Sequence, residues 1–148
     1  MSEKTGACMC GAVRFKAQNV PAKASLCHCE MCRRWTGSAL VGVDVPAKGL
    51  TWEGEAQIAS LQTSEWAERA WCKRCGSHLY FHFTLNDDMA AEYELPIGVF
   101  DDPNGFEIVN EIYIDEKPTS YAFEGGAHRK QMTRAECVAK FPMLDQPE

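Results

Sequence analysis

Hydrophobic and polar residues alternate over most of this chain, with a period of two. From Gly11 to Gln18, Val13, Phe15 and Ala17 fall on one side and Arg14, Lys16 and Gln18 on the other, which predicts a half-buried strand leaving a Cys8/Cys10 pair. Asn19-Val20-Pro21 should break it. Ser38 to Val43 reads as a strand of small residues, with Gly42 marking a bulge or a close backbone approach. Leu50 to Glu53 and Gln57 to Gln62 read as two short strands across Gly54, and Glu65 to Trp71 as a strand feeding Cys72. Ser77 to Thr84 sets Leu79, Phe81 and Phe83 against His78, Tyr80 and His82. Ala90 to Phe100, interrupted at Pro96, and Phe106 to Ile114 follow, separated by the turn cluster at Asp101-Asp102-Pro103-Asn104-Gly105.

Helical signals are few. Ala24-Ser25-Leu26 leads into the central cysteines, and Glu30 to Trp35 fits one helical turn ended by Thr36-Gly37. Thr133 and Glu136 have the capping-box spacing, so a short helix should start there and stop before Pro142. Glu116 to Arg129 should be irregular. The expected fold class is mainly β, many short strands with a short C-terminal helix, in one domain covering residues 1–148.

Composition narrows the function. The chain has 148 residues, 45% of them hydrophobic, enough for a true core. Its formal charge of −6 argues against nucleic acid as a partner, because phosphate attraction needs a basic face. No apolar leader opens the chain and no run reaches membrane-spanning length, so a cytoplasmic location and no membrane association are expected. Cytosolic thiols stay reduced, which favours metal binding over disulfides for the eight cysteines.

Seven of those cysteines form three knuckles. Cys8 and Cys10 make a C-x-C; Cys27, Cys29 and Cys32 crowd into one short segment; Cys72 and Cys75 make a C-x-x-C followed by Gly76. Three thiolates so close in sequence repel one another unless a soft cation holds them, and zinc is the usual one. Two two-thiol knuckles, Cys8/Cys10 and Cys72/Cys75, can close a tetrahedral structural zinc site. Cys27, Cys29 and Cys32 are then left as a three-ligand site with an open position, the pattern of a catalytic zinc. A second partition pairs Cys29/Cys32 with Cys72/Cys75 as a long-insertion zinc ribbon.

The order C-x-C-G, C-H-C-x-x-C-R, C-x-x-C-G resembles the glutathione-dependent formaldehyde-activating (GFA) family. It is carried by Cys8-Met9-Cys10-Gly11, Cys27-His28-Cys29-Glu30-Met31-Cys32-Arg33 and Cys72-Lys73-Arg74-Cys75-Gly76, with Asp101-Asp102-Pro103 similar to the family's acidic-proline turn. The resemblance spans about Cys8 to Pro118. It implies a β-tent fold with two zincs, a structural one on Cys8, Cys10, Cys72 and Cys75 and a labile one on Cys27, Cys29 and Cys32. It also implies a carbon–sulfur lyase of the S-(hydroxymethyl)glutathione synthase type, joining glutathione to formaldehyde. The segment after Pro118 lacks the Trp that many members carry.

On this reading the three-cysteine zinc positions a substrate thiol as thiolate for attack on a small carbonyl compound. Arg33 and Arg34, beside the last ligand, are the expected receptors for the thiol's carboxylate. The alternative is a non-catalytic zinc module that binds a thiol or a protein partner. His28 is either an outer-shell donor to the thiolates or a packing residue. His78 and His82 read as sheet residues, Cys137 as a buried helix residue outside the coordination shell, and the four tryptophans as core, with Trp35 near enough to line a pocket.

Overall fold

A computed structural model describes all residues 1–148. Eleven strands form two sheets. The smaller holds β1 (Ser2–Ala7), β2 (Arg14–Val20) and β5 (Leu50–Glu53), antiparallel in the order β1-β2-β5. The larger holds β3 (Lys23–Cys27), β4 (Leu40–Pro46), β6 (Ile58–Gln62), β7 (Ala67–Cys72), β8 (His78–Phe83), β9 (Glu92–Pro96), β10 (Glu107–Ile112) and β11 (Lys130–Met132). Its order is β11-β10-β3-β4-β9-β8-β7-β6, antiparallel except where β10 runs parallel to both β3 and β11. Two short helices complete the fold, α1 (Glu30–Thr36) and α2 (Arg134–Lys140).

The fold is mainly β with a short C-terminal helix, as the alternation requires. Three expectations shift. Strand β2 runs through Val20, with Asn19 at a φ of 56° inside it. The residues leading into the central cysteines are a full strand, β3, and the first residues form β1. The two strands across Gly54 do not pair with each other. Gly54 sits at a φ of +77° with its α-carbon against the Ala12 carbonyl, and the tight turn sends β5 to one sheet and β6 to the far edge of the other. Thr133 caps α2 in a reciprocal capping box with Glu136, and Phe141-Pro142 ends it.

The large sheet is buried on one face by the small one. Val13, Phe15, Ala17 and Val20 of the small-sheet side meet Ala24, Val43, Val45, Ala70 and Leu95, all at most 3% exposed. Ordering this core removes its side chains from water, at about 25 cal/mol per Å² of apolar surface. The opposite face of the large sheet is not sealed in this way. There α1, the Trp66 turn and the chain after α2 cover it, leaving a cavity of about 240 Å³ beneath them.

Candidate metal centre and cavity

The knuckles assemble as four plus three. The sulfurs of Cys8, Cys10, Cys72 and Cys75 lie within 4.8 Å of one another, and so do those of Cys27, Cys29 and Cys32. In the first group Cys8 Sγ to Cys10 Sγ is 3.6 Å and Cys10 Sγ to Cys72 Sγ 3.9 Å. Tetrahedral zinc with bonds of about 2.3 Å requires sulfurs about 3.8 Å apart, so this donor set fits the ion. The ribbon partition is not what assembles, since Cys29 and Cys32 group with Cys27.

Local backbone holds the four. Gly11 and Gly76, both at a φ of +78°, close the two knuckle turns. The Val13 N–H points to Cys8 Sγ at 3.3 Å, the charge-stabilising contact expected of a metal-bound thiolate. Ser77 ties the knuckles together: its hydroxyl accepts from Met9 N at 2.9 Å and lies 3.2 Å from Cys75 Sγ. Hydrogen bonding from Ser77 lowers the Cys75 thiol to about 5.

The three-thiol group stands where β3 ends and α1 begins. Cys27 is the last residue of β3; Cys29 is the N-cap of α1, its sulfur accepting the Cys32 N–H at 3.3 Å. Without a cation only one thiol of the three ionises readily. Hydrogen bonds from Cys27 and Cys32 drop Cys29 to about 3, and the same interactions push Cys27 well above its ordinary range. A divalent cation relieves that conflict by accepting all three as thiolates. Cys137, buried on α2, belongs to the same small core cluster as Cys27, Cys32, Leu40 and Tyr113, but its sulfur is outside the thiol group.

All three thiol residues line the cavity. Its floor is a row of direct cross-strand partners: Asp44 on β4 opposite Glu94 on β9, Glu94 opposite Phe81 on β8, and Phe81 opposite Arg69 on β7. Trp66, Asn110 and Tyr113 complete its walls. Tyr113 holds a φ of 56°, which a bulky side chain adopts only at a cost of about 1–2 kcal/mol.

Arg69 is 3% exposed, and both terminal nitrogens of its guanidinium lie 3.9 Å from Cys32 Sγ. Its Nε donates to Glu148 Oε2 at 2.9 Å, and the guanidinium sits 4.8 Å from the ring centroids of both Trp35 and Phe81. Arg33 and Arg34, the arginines expected to face the substrate, do not line the cavity. Arg34 is exposed and pairs with Glu30 one helical turn back at 2.9 Å. Arg69 carried no motif in the sequence; its one signal was a charged residue at an inward-facing position of a strand ending in a metal knuckle.

Three of the four histidines are packing residues, and His128 is exposed. His28 is 1% exposed against Tyr121 and Phe123, with neither ring nitrogen hydrogen-bonded, and burial holds its pKa below the ordinary value. His78 stacks on Trp35 at 4.5 Å. His82 stacks on Tyr93 and is bonded through both nitrogens, to Glu68 and to the Ala90 carbonyl.

A two-sheet fold carrying a four-thiol and a three-thiol cluster, the second opening on a cavity, defines a β domain with two cysteine clusters whose donors suit a metal ion. Residues 3–116 match the family described as glutathione-dependent formaldehyde-activating enzyme, and the chain belongs to that family. A Schizosaccharomyces pombe protein described as an uncharacterized lyase is 33% identical over 123 residues, which cover 83% of this chain and 87% of that protein. The crystal structure of a Rhodobacter sphaeroides protein shares the fold, with a TM-score of 0.57 at 18% identity, covering 87% of this chain and 99% of that one.

Proposed function

We propose that this protein is a zinc-dependent carbon–sulfur lyase that joins a thiol to a small carbonyl compound, and cleaves the adduct in reverse. The observation that carries the reading is the three-thiol cluster at the cavity: Cys27, Cys29 and Cys32 converge with no fourth protein donor, and all three border space large enough for a small substrate. Cys8, Cys10, Cys72 and Cys75 would hold a structural zinc, and Cys27, Cys29 and Cys32 a second one. Zinc bound there supplies a soft Lewis acid that favours a thiolate over a thiol at neutral pH.

The chain's own residues do the rest. Three thiolates on a divalent cation total about −1 in charge, and the Arg69 guanidinium beside Cys32 offsets part of it. Trp66, Phe81 and Phe83 give the cavity apolar walls, which hold a small carbonyl compound out of bulk water beside the sulfurs. The family's description supports glutathione as the thiol and formaldehyde as the carbonyl partner.

Cobalt in place of zinc tests the reading, because sulfur-to-cobalt absorption counts bound thiolates. Glutathione should add a fourth thiolate to the three-cysteine site. A spectrum that shows four thiolates at both sites, unmoved by glutathione, would overturn it in favour of a closed structural module.

A further inference from the structure

The carbonyl oxygen gains a proton when the carbon–sulfur bond forms, so the reaction needs a proton carrier within the cavity. We propose that Glu94 is that carrier, with Asp44, its cross-strand partner, as the charged neighbour that tunes it. The proposal rests on the carbon–sulfur lyase reading.

The geometry singles out Glu94. It sits in the cavity floor, directly opposite Asp44 on one side and Phe81 on the other. Its side chain lies over Gly42, where a β-carbon would collide with Glu94 Oε1 and Cγ, so the absence of a side chain at Gly42 fixes where the carboxyl rests. The other cavity carboxylate near the thiols, Glu148, is held by Arg69 and Thr63 and is not free to carry a proton. No hydrogen bond or ion pair within the protein holds the carboxyls of Glu94 and Asp44. Trp66, 6% exposed, forms a wall of the same cavity, and its indole N–H has no acceptor among the protein's own groups. An oxygen that develops negative charge beside that wall is the acceptor it fits.

The charged and titratable groups around Glu94 are Asp44 from β4, Arg69 from β7, the three thiols, Tyr113 and Glu148. The Glu94 carboxyl is raised to about 8, first by burial and then by the Asp44 charge, with Arg69 opposing and Cys29 adding a smaller rise. Asp44, more exposed than Glu94, is lifted to about 6 by partial desolvation first and by Glu92 second. A carboxyl that exchanges its proton near neutral pH suits a carrier that must both take and give one.

The step balances within the two reactants. The proton lost from the thiol S–H passes to the Glu94 carboxylate. A sulfur electron pair forms the bond to the carbonyl carbon, the C=O π pair moves onto oxygen, and Glu94 returns the proton to that oxygen. The product is the S-hydroxyalkyl thiol, and cleavage runs the same transfers backwards.

Glu94→Gln keeps size and removes the proton. In zinc-loaded protein its catalysed exchange between formaldehyde and the glutathione adduct, read by exchange NMR, should fall about 100-fold or more and lose its pH dependence. In cobalt-loaded protein the same variant should still capture glutathione as a fourth thiolate. An infrared carbonyl band from a protonated carboxyl above pH 6 should vanish in Glu94→Gln and move to lower pH in Asp44→Asn. Unchanged exchange with capture intact overturns the role of Glu94 and leaves the metal-thiolate reading standing. Loss of capture in the variant overturns it in favour of a binding role, and absence of capture in the unaltered protein overturns both. Should Glu94→Gln fail to fold, Asp44→Asn carries the test: its pH–rate profile must shift to lower pH, and an unmoved profile overturns the proposal.

Discussion

The Arg69 guanidinium lies 3.9 Å from Cys32 Sγ, with Glu148 bonded behind it and the rings of Trp35 and Phe81 against it. Arginine and glutamate side chains are both within 4% of full burial. The pair thus places a permanent positive charge at the three-thiol cluster without leaving a buried charge unmatched. Breaking such a pair is costlier than replacing it whole, because one partner remains charged in a low-dielectric site.

Arg69→Ala should therefore destabilise the fold by about 3–5 kcal/mol, while Arg69→Met combined with Glu148→Met should recover most of that loss. Urea denaturation of both variants checks this. Both should also weaken metal at the three-thiol site, since the positive charge that favours the Cys32 thiolate is gone. Chelator competition that leaves the second metal as tight as before would show that the guanidinium does not serve the cluster.

The sequence made the cysteine clusters legible because ligand chemistry is local: each knuckle is a few residues long, and the turns of the Cys8/Cys10 and Cys72/Cys75 knuckles need glycine, at Gly11 and Gly76. The alternating strands and the Thr133 cap were legible for the same reason. The cavity floor was not. Asp44, Glu94, Phe81 and Arg69 come from four strands, and only the register of those strands sets them in a row. Arg33 and Arg34 stood out by sequence adjacency to Cys32, yet helical geometry turns Arg34 towards Glu30 and solvent. Gly42 was read as a close backbone approach or a bulge, and the group that approaches is the Glu94 side chain.

Cys72→Ser should remove one metal equivalent and lower the thermal midpoint by about 10 °C or more. The metal's binding free energy is part of the folding free energy, and Cys72 is fully buried in the main core. Cys29→Ser should remove the other equivalent and cost far less stability. Metal analysis and melting of the two variants check the division. Equal losses of stability would mean that both clusters are structural.

Cys137→Ala should leave both metal equivalents bound. Cys137 is 2% exposed in the core cluster that also holds Cys27, Cys32, Leu40 and Tyr113, but its sulfur stays outside the thiol group, so the expected effect is a loss of about 1 kcal/mol from the cavity left behind. Loss of a metal equivalent in this variant would move Cys137 into the coordination shell.

The acidic end of the cavity should make stability fall as pH rises. Glu94 ordinarily titrates at 4.5 and is raised to about 8 in the fold, first by burial and then by Asp44. Between those values the unfolded chain has released a proton that the folded protein still holds. Folding then takes up a proton, so the contribution is full below about pH 4.5 and is lost as pH climbs through about 8. Glu94→Gln removes the titration. Its melting midpoint should exceed that of the unaltered protein at pH 8, and the difference should shrink towards pH 5. Asp44→Asn removes the like charge beside Glu94 and should flatten the slope in part. Melting curves at half-unit pH steps, with metal content held constant, read all three proteins. Parallel curves for the unaltered protein and Glu94→Gln would mean that Glu94 keeps its ordinary pKa in the fold, and the cavity floor would then hold two plain carboxylates.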